Sequence, residues 1–376
     1  MSLDIHAVYR IRSDARSIAE RARTIAVEQS VEMPLEAIDD PFVNSEIVGR
    51  VLDIKDLGGK DIGGKDIGGR TFEVRIALAT ATATTSIGGD AGQLINMLFG
   101  NTSIHDDVML HDVELPAEFV RAFEGPRHGI ETLRRRVGAQ RRALTSSALK
   151  PQGLPAHALA ALAIALARGG IDYVKDDHGL ADQTYSPFAG RTEAIAAALR
   201  RHGSLTRYVP SLSGDLDSMR GQIAAAHSVG IDTVMVAPMI AGLSNFHRLV
   251  REHPGIAFLA HPSLAGSRIA PALLFGKIFR MLGADAIVFP NHGGRFGYTP
   301  ETCRTLALAA LADWHGLRAS VPVPAGGMST DRVPEMLDFY GADIMLLIGG
   351  GLLSARERLT QVTAAFVEAV KAYPYG

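Results

Sequence analysis

LTRYVPSLSGDLDSMRGQIAAAHSVGIDTVMVAP, residues 205–238, sets the pattern of the chain. It opens with a short apolar run, LTRYVP (205–210), followed by a polar loop containing glycine. DSMRGQIAAAHSVG then has the look of an amphipathic helix that stops at glycine, and DTVMVAP (232–238) is the next apolar run. Glycine ends helices because it accepts the left-handed C-terminal turn. Short Val- and Ile-rich runs alternating with such helices imply buried parallel strands joined by right-handed crossovers.

The same unit recurs along the rest of the chain. Further apolar runs are ALTSSAL (143–149), IDYV (171–174), IAFLAH (256–261), DAIVFP (285–290), VPVPA (321–325) and DIMLLIG (343–349). Eight consecutive, near-equal units are the count of a (β/α)8 TIM barrel. A doubly wound open sheet is the alternative, and the even repetition favours closure. The barrel and its active site are assigned to residues 136–376. Residues 1–135 read as a separate, smaller α+β domain of ferredoxin-like type. Its helices are expected near 14–27 and 90–99, and its strands near 46–54 and 70–79. Within it KDLGGKDIGGKDIGG (55–69) repeats one motif three times. Its paired glycines do not open onto a helix, so an expanded turn between strands fits better than a phosphate cradle.

Composition narrows the function. With 376 residues, a net charge of -2, 47% hydrophobic and 21% charged residues, the chain is an ordinary soluble type. There is no basic excess to suggest nucleic acid as a partner. The single cysteine, Cys303, excludes an internal disulfide framework and points to a reducing, cytoplasmic setting. The N-terminus lacks the apolar core of a signal peptide, and ALAALAIALA (158–167) is too short to cross a bilayer, so no membrane partner is expected.

Active sites of such barrels lie at the C-terminal ends of the strands. Lys150 ends the first run, Lys175-Asp176-Asp177-His178 the second and His261 the fifth. NHGGRFGY, with His292 and Arg295, follows the sixth. Gly326-Gly327 and Gly349-Gly350-Gly351 follow the seventh and eighth. Glycine turns there expose backbone N–H groups to a phosphate, or are simply tight turns. Lys175 and Asp177 are two apart, so in extended chain they point the same way, as a site pair or as a structural ion pair. Lys150, on the neighbouring strand, can depress the Lys175 pKa, which suits proton transfer or capture of CO2 as a carbamate. His261 is placed to act as an acid or base, or else to pack in the core.

Taken together these motifs resemble the ribulose-bisphosphate carboxylase (RuBisCO) large-chain family, and more closely its RuBisCO-like (form IV) branch. GGIDYVKDDH resembles the family's G-G-x-D-[FY]-x-K-D-D-E, and SALKPQGL its T-x-K-P-K-x-G-L segment. FEGPRHGI (123–130) resembles the linker between domains, PVPAGGMS and LLIGGGLL the two phosphate loops, and AVEQSVE an N-terminal segment. The resemblance implies a carbamylated Lys175 and a metal site of Lys175, Asp177 and His178 holding Mg2+. It also implies a proton-transfer role for Lys150, and phosphate binding by Gly326, Gly327, Gly349 and Gly350. Glu28 would reach the active site of a second copy, in a homodimer whose site lies at the subunit interface.

The departures shape the expected activity. His178 stands where the family has a metal glutamate, and Gln152 replaces the second lysine of K-P-K. Arg295 takes the position of the mobile-loop lysine. The expected N-terminal asparagine aligns with Met97, with Asn96 and Asn101 close by. Residues that hold one of the family's two phosphates are Pro262, Val288 and Ala325 here. The implied substrate is therefore a mono-phosphorylated keto-sugar or sugar acid, enolised, isomerised or decarboxylated by a lyase or isomerase rather than carboxylated. Imidazole at 178 leaves open Mg2+ with a water in place of the missing ligand, another metal, or no metal. A catalytically silent barrel that binds a phosphorylated metabolite as a sensor or scaffold is the alternative.

Overall fold

The computed structural model describes residues 4–59, 69–86, 88–266 and 268–375. The chain divides into two compact units: Met1–Glu124 with Ala265–Leu274, and Gly125–Leu264 with Phe275–Gly376.

The first unit is built on a four-stranded antiparallel sheet. Its strands are β1 (Ile5–Ser13), β2 (Arg50–Asp56), β3 (Arg70–Leu78) and β4 (Val108–Glu114), in the order β2-β3-β1-β4. Helices α1 (Ile18–Glu28) and α2 (Ala91–Phe99) accompany it. Strand β1 buries Ile5, Ala7, Tyr9 and Ile11 and turns His6, Arg10 and Arg12 to its other face, the alternation of a half-covered strand. The Leu110 N–H donates to Arg268 O and the Ala270 N–H to Leu110 O, both at 2.9 Å, which draws residues 268–270 alongside β4. The glycine repeat falls between β2 and β3. The Leu57 N–H donates to Thr71 O (2.9 Å) and the Thr71 N–H to Gly58 O (2.8 Å), while residues 60–68 lie outside the described residues.

The second unit is the barrel. Its strands are β5 (Leu144–Leu149), β6 (Tyr173–Asp176), β7 (Arg207–Val209), β8 (Thr233–Val236), β9 (Ala257–Ala260), β10 (Ala286–Pro290), β11 (Val321–Ala325) and β12 (Met345–Leu347). All pair in parallel in the order β8-β9-β10-β11-β12-β5-β6-β7. The ring closes where the Met235 N–H donates to Pro210 O (2.9 Å) and the Leu212 N–H to Met235 O (2.8 Å). The main helices are α3 (Gly129–Arg136), α4 (Ala156–Arg168), α5 (Phe188–His202), α6 (Leu216–Ser228), α7 (Leu243–Glu252), α8 (Pro300–Leu311), α9 (Val333–Tyr340) and α10 (Leu359–Lys371). Helix α5 ends at Gly203, whose φ of 69° is the left-handed conformation that glycine adopts without strain.

The barrel interior is filled by Tyr173, Val209, Met235, Leu259, Val288, Val323 and Leu347, with Leu133 of α3 entering from the end opposite the site. Tyr173 donates its hydroxyl hydrogen to Leu133 O (2.9 Å). Fully burying Leu133 is worth about 1.5–3 kcal/mol. Four aspartates hold the segment around α3 in place. Asp285 accepts the His128 N–H (2.6 Å), Asp343 pairs with Arg134 (2.8 Å), Asp232 with Arg136 (3.2 Å) and Asp172 with Arg142 (2.7 Å). Each stands just before an even-numbered strand, in the recurring triplets Gly170-Ile-Asp172, Gly230-Ile-Asp232, Gly283-Ala-Asp285 and Gly341-Ala-Asp343. This packing explains why the compact units part at 124/125 and not at the 135/136 boundary expected from the sequence. Helix α3 belongs to the barrel because Leu133 is part of its core.

Candidate active site

The end of β6 sorts two adjacent aspartates to opposite faces. Asp176 turns outward, where it is fully buried against Arg191 (3.2 Å), the Tyr208 hydroxyl (2.7 Å) and the Ser211 N–H (3.1 Å). That is a structural role. Lys175 and Asp177 share the other face with Tyr173, as the two-residue period requires. Lys175 is buried, and its Nζ donates to the Asp176 carbonyl (2.9 Å).

Asp177 organises the cluster. Its Oδ2 lies 2.8 Å from Lys150 Nζ and its Oδ1 2.9 Å from His178 Nδ1. Its side chain is 8% exposed, against 39% for Lys150 and 48% for His178, so a buried carboxylate holds two groups that a substrate can reach. The His178 ring stacks on that of His261, with centroids 4.6 Å apart and planes 9° from parallel. His261 Nδ1 lies 2.8 Å from Ser263 Oγ and accepts the Ser263 N–H (3.3 Å), which leaves Nε2 as its protonated nitrogen. Lys150, Lys175, Asp177, His178 and His261 are thus gathered into one constellation.

Burial and neighbouring charge set the protonation states. Burial, with help from Lys150, lowers Lys175 to about 8, although Asp177 pulls the other way. Burial opposes ionisation of Asp177, but hydrogen bonds from His178 and Lys150 outweigh it and hold the carboxyl far below its usual range. Burial, then the charges of Lys175 and His178, keeps His261 far below the ordinary histidine value, so it is a neutral donor rather than a base near neutrality.

The glycine loops lie at the neighbouring strand ends. Gly327 has φ 64°, and a side chain there would fall 2.7 Å from Gly294 Cα and 2.8 Å from Gly293 O. Its backbone therefore rests directly on the turn that follows β10. The loop after β12 adjoins the same segment, since a side chain on Gly351 would meet Met328 O at 3.2 Å. Gly349 and Gly350 open a short helix at Gly350–Leu353, and its first N–H groups have no partner within the helix. A groove of about 830 Å³ is lined by Lys150, Leu154, Ala158, Leu162, Gly350 and Leu353 among others. Lys150 is the member of the cluster that borders this groove, whose other walls come from α4 and the segment leading into α10.

The remaining candidates have the following surroundings. Arg295 lies on an exposed turn, its guanidinium 4.8 Å from the ring centre of Phe296. Val288 packs in the barrel interior and Ala325 against it, so the positions that bind a second phosphate in the resembled pattern are apolar. The Gln152 amide occupies the space beside Gly179 that a side chain there would need. In the first unit Glu28 ends α1, and Asn101 Nδ2 donates to Glu28 (2.9 Å) and to Glu32 (3.0 Å). Asn101, rather than Met97 or Asn96, is the group that reaches Glu28. Ser263 was not singled out from the sequence, because no motif marks it. Its position two residues after a strand-end histidine was the available signal.

The donor set for a metal is incomplete without modification. Among the described residues no group of three His, Cys, Asp or Glu side chains could hold a metal ion. Asp177 supplies a carboxylate oxygen. Its bond to His178 Nδ1 turns Nε2 into a free donor. Only a carboxylate carried on Lys175 would bring the count to three. As they stand, the side chains do not make a three-ligand set.

Comparison with known proteins agrees with this architecture. Residues 129–372 match the family of the ribulose bisphosphate carboxylase large chain, catalytic domain. The chain belongs to the RuBisCO large-chain family. It is 58% identical over 372 residues to the 5-methylthioribulose-1-phosphate isomerase of Rhodospirillum rubrum, covering 97% of this chain and 96% of that protein. It is 32% identical over 320 residues to the 2,3-diketo-5-methylthiopentyl-1-phosphate enolase of Geobacillus kaustophilus, covering 81% and 76%. The crystal structure of a Rubisco-like protein from Rhodopseudomonas palustris superposes with a TM-score of 0.88 at 49% identity, covering 99% of both chains. Within the RuBisCO family these similarities lie on the Rubisco-like side. No helix among the described residues is long and apolar enough to cross a membrane.

Proposed function

We propose that this chain isomerises a mono-phosphorylated ketose by moving a proton between neighbouring carbons, and does not carboxylate a bisphosphate. The observation that carries the reading is the cluster around Asp177, whose buried carboxylate holds Lys150 and His178, with His178 stacked on His261. A phosphate held at Gly326-Gly327 and Gly349-Gly350 leaves the sugar beside the Lys150–Asp177–His178–His261 cluster. The apolar Val288 and Ala325, with Pro262, suit an uncharged far end. The 58% identity to 5-methylthioribulose-1-phosphate isomerase supports a ketose phosphate with a methylthio group there.

Each group has a role in this reading. His261, neutral and holding its proton on Nε2, donates to the ketone oxygen and makes the adjacent C–H more acidic. Lys150, after giving up its own ammonium proton to solvent, takes that proton as the ketone oxygen takes the His261 Nε2 proton, giving the enediol. The neighbouring hydroxyl then returns a proton to His261 and becomes the new ketone, while Lys150 delivers its proton to the former ketone carbon. Asp177 fixes Lys150 and keeps the His178 Nδ1 protonated. Lys175, with a large neutral fraction near pH 8, accepts CO2. Its nitrogen bonds to the carbon of CO2, an N–H proton leaves to solvent, and a carbamate anion remains. Lys175, Asp177 and His178 would then hold Mg2+. Such an ion, when bound, stabilises negative charge on the substrate oxygens. Arg295 meets an anionic oxygen of the substrate, as guanidinium does bidentately. Glu28, positioned by Asn101, completes the site from a second copy of the chain in a homodimer. The partly exposed Met33, Leu35 and Phe42 that follow it in sequence suit such an interface.

The test is 5-methylthioribulose-1-phosphate incubated with the protein in D2O containing bicarbonate, followed by proton and phosphorus NMR. An isomeric ketose phosphate carrying deuterium is expected, formed about 10²–10⁴-fold more slowly by Lys150→Ala. Absence of both product and exchange in the wild type would falsify the proposal.

A further inference from the structure

Asn291 is 1% exposed at the first position after β10. Its Oδ1 accepts the Tyr340 hydroxyl at 2.7 Å. Its Nδ2 lies 3.1 Å from Met328 Sδ and 3.2 Å from Met336 Sδ. Thioether sulfur is a weak acceptor. A buried amide spent on two sulfurs is a poor choice for packing alone, since an apolar residue would fill the space without desolvating two N–H groups. The position of Asn291 suggests what the amide does. Its own N–H donates to Ala325 O (2.9 Å) at the end of β11 and its carbonyl accepts the Gly294 N–H (3.2 Å), so its backbone ties the loop after β10 to the strand that leads into Gly326-Gly327. Met328, which it holds by the side chain, directly follows Gly326-Gly327 and has its carbonyl against Gly351. Arg332 secures the same loop from the other side, donating from Nη1 to Gly327 O at 2.6 Å.

We infer that Asn291 is a positioning residue for the phosphate loops, acting through Met328 and Tyr340 without touching the substrate. It fixes where Gly326 and Gly327 present their N–H groups, and through Met328 where the Gly349–Gly351 turn can sit. The inference rests on those glycines binding the substrate phosphate. A residue of this kind affects how well phosphate is held and leaves proton transfer at the Lys150 cluster alone. Its loss therefore raises KM and spares kcat.

The experiment compares wild type, Asn291→Leu and Tyr340→Phe, the last removing one hydroxyl from the same network in case the first variant does not fold. Inorganic phosphate is the probe, measured as a competitive inhibitor beside KM and kcat for 5-methylthioribulose-1-phosphate. Thermal melting is recorded for each protein. The inference expects KM and the phosphate inhibition constant to rise together, about tenfold for Asn291→Leu and about threefold for Tyr340→Phe, with kcat changed less than about twofold. Folded variants that melt lower but bind phosphate like the wild type would show a merely structural role and overturn it. If inorganic phosphate fails to compete even in the wild type, the phosphate-loop reading itself falls, and the inference with it.

Discussion

The amine of Lys175 offers a sharp test of the electrostatics, because its neighbours Asp177 and Lys150 act in opposite directions. Burial brings it to about 8 from an ordinary value of 10.5. At pH 8 about half the amine is then neutral, against roughly 0.3% for a free lysine, a gain of more than 100-fold in the form that can react with CO2. Asp177 raises this value and Lys150 lowers it. Asp177→Asn deletes the stabilising anion, so the Lys175 amine is expected to titrate about one unit lower. Lys150→Met deletes the repelling cation and frees Asp177 to face Lys175 alone, so the amine is expected to titrate about one unit higher. One pKa unit corresponds to about 1.4 kcal/mol. Trace acetylation with labelled acetic anhydride across about pH 6–11, read by mass spectrometry of the peptide carrying Lys175, reports the titration without relying on activity. The reasoning is refuted if Lys175 titrates at the ordinary lysine value, or if both substitutions move it the same way.

Other consequences follow from burial and backbone geometry. The folded value of Lys175 is depressed, so the unfolded chain binds the proton more tightly; stability rises with pH from about 8 to 10.5, and the penalty is fully present below about 8. Lys175→Met should therefore stabilise the fold by about 3 kcal/mol at neutral pH and by less near pH 10, in urea unfolding; no gain at neutral pH contradicts this. Arg191→Met leaves Asp176 buried without its cation and should cost about 3–5 kcal/mol, with a loss below about 1 kcal/mol counting against a structural ion pair. Gly327→Ala places a methyl group 2.7 Å from Gly294 Cα at φ 64°, so KM for a phosphorylated ketose should rise about tenfold with little change in kcat. An unaltered KM would mean that this loop does not hold the phosphate.

The sequence revealed the barrel more readily than the first unit. Strands buried on both faces read as continuous apolar runs, and the barrel strands fall within or beside the runs seen in the sequence. Strand β1 went unassigned because His6, Arg10 and Arg12 break up its apolar residues, and VMLHDVE of β4 is interrupted by the adjacent polar His111 and Asp112. The Gly-x-Asp triplets before the even strands were also legible, but their meaning depends on Arg134, Arg136 and Arg142, which lie far away in sequence. At the candidate site, the shared direction of Lys175 and Asp177 follows from the two-residue period. The Lys150–Asp177 pair and the His178–His261 stack join different strand ends, which only the closed ring brings together. Ser263 and Asn291 act through loop geometry that no local motif encodes.

The central claim is that one phosphate is held at the glycine loops with the ketose beside Lys150, and that the opposite side takes no second phosphate. A crystal structure with the alcohol obtained by reducing the ketone of 5-methylthioribulose-1-phosphate tests it most directly. The expected density has its phosphate against Gly326-Gly327 and Gly349-Gly350, its carbon chain within reach of Lys150 and His261, and its methylthio end toward Pro262 and Val288. A phosphate bound instead on the Pro262 and Val288 side would contradict the account.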